Sequence, residues 1–84
     1  MTDRTRAALT ELREGEHGVL EQIDLDAEDT RRVMELGFIP GTRIVVGRSA
    51  PGGDPRVYRV DGSEVALRRE TARRLHVRRE PRAG

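Results

Sequence analysis

Asp26-Ala27-Glu28-Asp29-Thr30-Arg31-Arg32-Val33-Met34-Glu35-Leu36-Gly37-Phe38-Ile39-Pro40-Gly41-Thr42 is the stretch on which the fold turns. Asp26 is a short acceptor side chain placed ahead of a helix-forming run. Glu28 and Asp29 follow in the first turn, where negative charge meets unpaired backbone N–H groups. The run ends at Leu36, because Gly37 adopts the left-handed conformation of a helix stop with no steric cost. With Gly37 at the stop, Val33 and Phe38 are the pair that meet in a Schellman closure. Residues 39–42 then put Pro40 and Gly41 at the two central positions of a type II turn, which needs a fixed negative φ followed by a positive one. A helix of about three turns, a stop and a sharp turn into a strand are expected here.

Upstream, residues 17–23 read as a strand with Val19, Glu21 and Ile23 on one face and Leu20 on the other. Such mixed faces suit the edge of a small barrel. Leu9 and Leu12 are expected to pack down before Gly15. Downstream, residues 42–49 form a strand with Ile44 and Val46 on one face and Gly47 allowing a bend. Pro51-Gly52-Gly53-Asp54-Pro55 is an exposed loop, since its prolines lack donors and its glycines resist regular pairing. Arg56–Val60 and Ser63–Leu67 flank Asp61-Gly62, a strong two-residue hairpin signal. That turn sets Val60 opposite Ser63, Arg59 opposite Glu64 and Tyr58 opposite Val65, with Tyr58, Val60, Val65 and Leu67 on one face. Residues 68–74 suit a single helical turn, and Leu75-His76-Val77 a last strand. Residues 1–8 are expected to be a disordered amino terminus, 9–78 one domain and 79–84 a disordered tail. The fold expected is mainly β: a small SH3-like, partly open barrel of about five strands with one inserted helix and one short helical turn. Closing the sheet hides edges that would otherwise aggregate. An oligonucleotide/oligosaccharide-binding barrel is the second choice.

Composition narrows the function. With 84 residues, 35% hydrophobic and 37% charged, the chain builds one thin core. It has no cysteine, which excludes disulfides, thiolate metal sites and cysteine nucleophiles. No apolar run approaches the length of a membrane span, and the first residues lack the apolar stretch of a signal peptide, so a cytoplasmic protein without membrane insertion is expected. The sixteen basic residues are all arginine. Residues 1–42 carry ten acids and five arginines, residues 43–84 eleven arginines and five acids, so the halves are oppositely charged. Arg68-Arg69, Arg73-Arg74 and Arg78-Arg79 make a basic segment, read as solvated surface. Phe38 and Tyr58 are the two aromatic residues, which is too few for a base-stacking platform, and no nucleic acid partner is expected. No nucleophile, base and acid fall into a catalytic pattern, and no phosphate-binding glycine loop is present, so no enzyme activity is expected. A divalent cation would have His17 or His76 with Glu16, Asp24 or Asp26 to bind it, at spacings that are not diagnostic, and no metal or cofactor is expected.

Gly15-Glu16-His17-Gly18-Val19, Met34-Glu35-Leu36-Gly37-Phe38-Ile39-Pro40-Gly41, Pro51-Gly52-Gly53-Asp54-Pro55 and Val65-Ala66-Leu67-Arg68-Arg69-Glu70-Thr71-Ala72 together resemble the ferrous iron transport protein A (FeoA) domain family. The resemblance runs from Leu12 to about Val77. Its motif residues are Leu36, Gly37, Pro40, Gly41, Gly53, Asp54 and Pro55; Met34 and Phe38 stand where members often have leucine. It implies an SH3-like barrel and a small cytosolic accessory of ferrous iron uptake. The implied partner is the inner-membrane Fe(II) transporter, whose cytosolic part carries a GTP-binding domain. The same domain type ends iron-dependent repressors, so a metal-responsive regulatory domain is the alternative. An arginine such as Arg31 or Arg32 supplied to the GTP-binding domain is a third.

A binding module must leave apolar surface outside its core. Val33 and Leu36 are expected to face the barrel, while Met34 lies about 100° round the helix from Val33. With Phe38 closing the helix end, Ile39 points outward from its turn. Met34 and Ile39, rimmed by Arg31 and Arg32, are therefore the expected partner-binding residues.

Overall fold

A computed structural model describes residues 5–80 of the chain. The helix that organises it, α1 (Ala27–Glu35), starts where the Asp26 carboxylate accepts the Asp29 N–H at 2.8 Å. It ends in the Schellman pattern: the Phe38 N–H donates to the Val33 carbonyl and the Gly37 N–H to the Met34 carbonyl, each at 3.0 Å. Gly37 has φ +109°, beyond the range in which a β-carbon is comfortable. The space beside it is not crowded, since a β-carbon there would lie 3.6 Å from Val60. The cost of Gly37→Ala is therefore conformational, and a loss of about 1 kcal/mol or more is expected in chemical denaturation. An unchanged midpoint would remove the helix-stop assignment. Pro40 and Gly41 (φ +97°) then form the expected turn, closed by Thr42 N–H to the Ile39 carbonyl at 3.0 Å.

Among the described residues six strands make one antiparallel sheet: β1 (Arg6–Ala8), β2 (His17–Ile23), β3 (Arg43–Ser49), β4 (Arg56–Val60), β5 (Ser63–Leu67) and β6 (Leu75–Arg79), ordered β1-β6-β2-β3-β4-β5. A 3₁₀ turn (Leu9–Glu11) follows β1, and a one-turn helix, α2 (Arg69–Ala72), precedes β6. The β4–β5 hairpin has the expected register, Val60 opposite Ser63, Arg59 opposite Glu64 and Tyr58 opposite Val65. Asp61 (φ +50°) and Gly62 (φ +78°) carry the two positive φ angles of the primed turn. The Arg59–Glu64 pair closes to 3.6 Å with both side chains exposed, a contribution of under about 1 kcal/mol.

Three expectations are corrected. Residues 6–8, expected to be disordered, form β1, because Ala7 pairs with Val77 and buries its methyl in the core. Second, β2 is an interior strand between β3 and β6 rather than a barrel edge. Its alternation is broken by a bulge between Leu20 and Gln22, which lets both Leu20 and Ile23 pack against the core. Third, Arg79 belongs to β6, and the Glu80 N–H donates to the His17 carbonyl at 3.1 Å, so the ordered sheet continues past residue 78. The remaining parts of the expected terminal segments, 1–4 and 81–84, lie outside the described residues.

The core joins Leu9, Leu12, Leu20, Val33, Phe38, Ile44, Val46, Tyr58, Val60, Leu67, Leu75 and Val77 with Ala7 and Ala72. Leu9 and Leu12 pack inward as expected. Every large side chain on the inner faces of β3 and β4 is aliphatic except Tyr58, so Phe38 supplies the other aromatic volume from outside the sheet.

Candidate functional site

The carboxyl end of α1 and the turn after it form the surface of interest. In α1 only Val33 is buried. Phe38, fully buried, folds back to Val33 and fills the core at this end of the helix. That contact leaves Leu36 outside, contrary to the expectation that it faces the barrel: it is 45% exposed. Met34 (37%) and Ile39 (45%) point outward as expected. These three are the exposed large hydrophobic residues among the described ones, and all lie within residues 34–39. They are not scattered singly over the surface but gathered on one short segment, where they make an exposed apolar patch.

Its rim is of mixed charge rather than cationic. Arg32 reaches Glu28 at 3.3 Å and Asp29 at 4.0 Å on its own helix, so part of its charge is answered locally. Arg31 has no ion-pair partner among the described residues, and Glu28, Arg31, Arg32 and Glu35 line one shallow hollow. An apolar centre with a charged rim is how protein interfaces are usually built.

The motif residues around 51–55 serve a structural end. The Asp54 carboxylate accepts the Arg69 N–H at 2.9 Å and so supplies, from a remote loop, the cap that Arg68 cannot give α2. Gly53 has φ +91°, and the Arg69 guanidinium passes over it, 3.3 Å from where a β-carbon would stand.

His76 is brought beside one expected carboxylate, Asp24, while His17 takes a partner from outside the expected set. His17 Nδ1 lies 3.2 Å from Glu80 Oε1. The same carboxylate takes Arg43 Nε at 2.8 Å and Nη2 at 3.2 Å, tying the starts of β2 and β3 to the end of β6. These donors, Arg43 first, hold the Glu80 carboxyl below the usual carboxylate range, against the opposing effect of burial. The stabilisation exists above the ordinary carboxylate pKa and disappears as pH falls through the lowered value. His76 shares a hollow with Asp24, Arg73 and Arg74, where two guanidinium groups oppose any cation. Among the described residues no three His, Asp or Glu side chains are grouped to hold a metal ion.

Residues 7–79 match the family model of the FeoA domain. The chain belongs to the FeoA domain family. Among its relatives is the Fe(2+) transport protein A/Fe(2+) transporter FeoB fusion protein of Porphyromonas gingivalis, 36% identical over 69 residues. The match takes in 82% of this chain and 8% of the fusion, so this FeoA domain spans a small part of that relative's length. The zinc-complexed FeoA of Stenotrophomonas maltophilia, a prokaryotic SH3 domain protein, is 36% identical with a TM-score of 0.74, over 89% of this chain and 96% of that one. The SH3-like, mainly β assignment therefore holds, with six strands in place of about five. A manganese-dependent transcriptional repressor shares the fold alone, at 20% identity and a TM-score of 0.80, over 95% of this chain and 45% of that one. No described helix is long and apolar enough to cross a membrane.

Proposed function

We propose that this FeoA domain is a cytoplasmic accessory of ferrous iron uptake that docks on the cytosolic part of an inner-membrane Fe(II) transporter and supports or regulates it. The role is binding rather than catalysis. The observation that carries the reading is the gathering of Met34, Leu36 and Ile39 on one exposed segment beside Arg31 and Arg32. The fused relative supplies the partner class, because a domain joined covalently to a transporter acts at a high effective concentration next to it. The Stenotrophomonas maltophilia protein has been suggested to act as a bacterial ferrous iron transport activating factor, which agrees with the same role.

The test is Met34→Ser with Ile39→Ser, scored by capture of the GTP-binding cytosolic domain of a FeoB transporter and by thermal melting. Both side chains are exposed, so the melting midpoint should move little. Binding should weaken by about tenfold or more, since apolar anchors at an interface centre dominate its energy. Adding Leu36→Ser should weaken it further. Unchanged capture by the folded triple variant would place the interface elsewhere.

A further inference from the structure

A small half-enclosed hollow of about 50 Å³ opens between the 51–55 loop, β4 and the start of α2, away from the residues of the docking segment. Roughly 10–15 Å³ suffices for one water, so this hollow has room for a group of several heavy atoms. The groups around it are Thr10, Asp54, Arg56, Tyr58 and Arg69. The Arg56 Nη1 donates to the Leu12 carbonyl at 2.8 Å, and neither Arg56 nor Arg69 forms an ion pair with Asp54. Asp54 is occupied instead by the backbone N–H of Arg69 at 2.9 Å. Two guanidinium groups therefore border the hollow against one carboxylate that already has a partner.

The hydroxyls add donors. Burial pushes the Tyr58 phenol above its usual range, Arg56 and Arg69 pull the other way, and Asp54 reinforces the rise. The phenol thus keeps its proton at neutral pH and can donate, as can Thr10. An excess of positive charge, planar guanidinium donors and two hydroxyls in a small hollow match an anion with two or more oxygens.

We propose that this hollow binds a small oxyanion, the chemistry shared by inorganic phosphate and a carboxylate. A phosphate would come from solution and a carboxylate from an acidic side chain of a bound protein. The two sources are separated by titrating the full chain with sodium phosphate and with sodium acetate at pH 7, each against sodium chloride at equal ionic strength. Binding is followed by amide and arginine Nε resonances. The expected result is a saturable shift at Gly53, Thr10 and the two arginine side chains with at least one of the oxyanions and not with chloride. Saturation by phosphate alone assigns the site to the inorganic anion, and saturation by acetate assigns it to a carboxylate. Arg69→Gln keeps the backbone bond to Asp54 and should weaken either binding by about tenfold, the size of a lost charge-assisted hydrogen bond. No saturable shift with either anion, equal shifts with chloride, or undiminished binding in folded Arg69→Gln would each overturn the proposal.

Discussion

Phe38→Ala is expected to remove about 3–5 kcal/mol of folding stability, the range for deleting a buried phenyl ring. The size follows from where the ring sits. Phe38 lies beyond the helix, in a segment whose backbone is held by the Schellman bonds and the Pro40-Gly41 turn. The surrounding chain therefore cannot collapse into the space the ring leaves, and the cavity penalty is felt in full. The ring is fully buried, and Tyr58 is the one other aromatic side chain in the protein. For a chain of this length total stability is on the order of 4–13 kcal/mol, so the loss is a large part of the whole. The melting midpoint should fall by more than about 10 °C, and urea denaturation should give the free energy directly. Phe38→Leu, which keeps most of the volume, should cost much less, about 1.5 kcal/mol. If Phe38→Ala came within 1 kcal/mol of the parent, the ring would not be the element that closes α1 onto the sheet. The exposure of Leu36 would then lose its explanation.

Local chemistry explains which parts of this fold could be read from residues alone. The Asp26 cap, the Gly37 stop, the Pro40-Gly41 turn and the Asp61-Gly62 hairpin each depend on a few adjacent residues with special backbone or capping properties. All four are found where the sequence puts them. Strand β1 was illegible because Arg6-Ala7-Ala8 has no strand-forming side chains; its pairing with β6 makes it a strand. The β2 bulge hid the position of that strand in the sheet, since an extra residue shifts the alternation midway and makes a two-sided interior strand look like an edge. At the candidate site, the exposure of Met34 followed from helical geometry and that of Ile39 from the turn beyond the Phe38 closure. Leu36 did not, because the competition between Leu36 and Phe38 for one core position is settled by the Schellman closure rather than by helical period. The arginine-lined hollow draws on residues 10, 54–58 and 69, and such a set exists only after the chain is folded.

Gly18→Ala is the second large effect expected, and its sign is not obvious in advance. Gly18 is not among the positive-φ residues, so alanine can take its backbone conformation. On that ground alone the substitution would stabilise by about 0.4–1 kcal/mol, through the smaller freedom of the unfolded chain. Space decides otherwise. Gly18 pairs with Ile44 of β3 on one side and Arg79 of β6 on the other, so β2 cannot drift at this residue without breaking a ladder. A β-carbon built on it would stand 2.8 Å from the Arg78 carbonyl oxygen and 3.2 Å from Val77 Cβ and Cγ2. The carbonyl belongs to the paired backbone of β6, and Val77 is fully buried, so neither neighbour can swing aside as a surface side chain would. Overpacking of this kind typically costs 1–3 kcal/mol, enough to exceed the gain from the unfolded state, and a net loss of about 2 kcal/mol is expected. The strain should be local as well. Amide exchange at Arg78, Arg79 and Glu80 should accelerate before that of the β4–β5 hairpin, because β6 is what the new methyl displaces. Unchanged or increased stability, with β6 protection intact, would mean that β6 does not lie against Gly18 in this register.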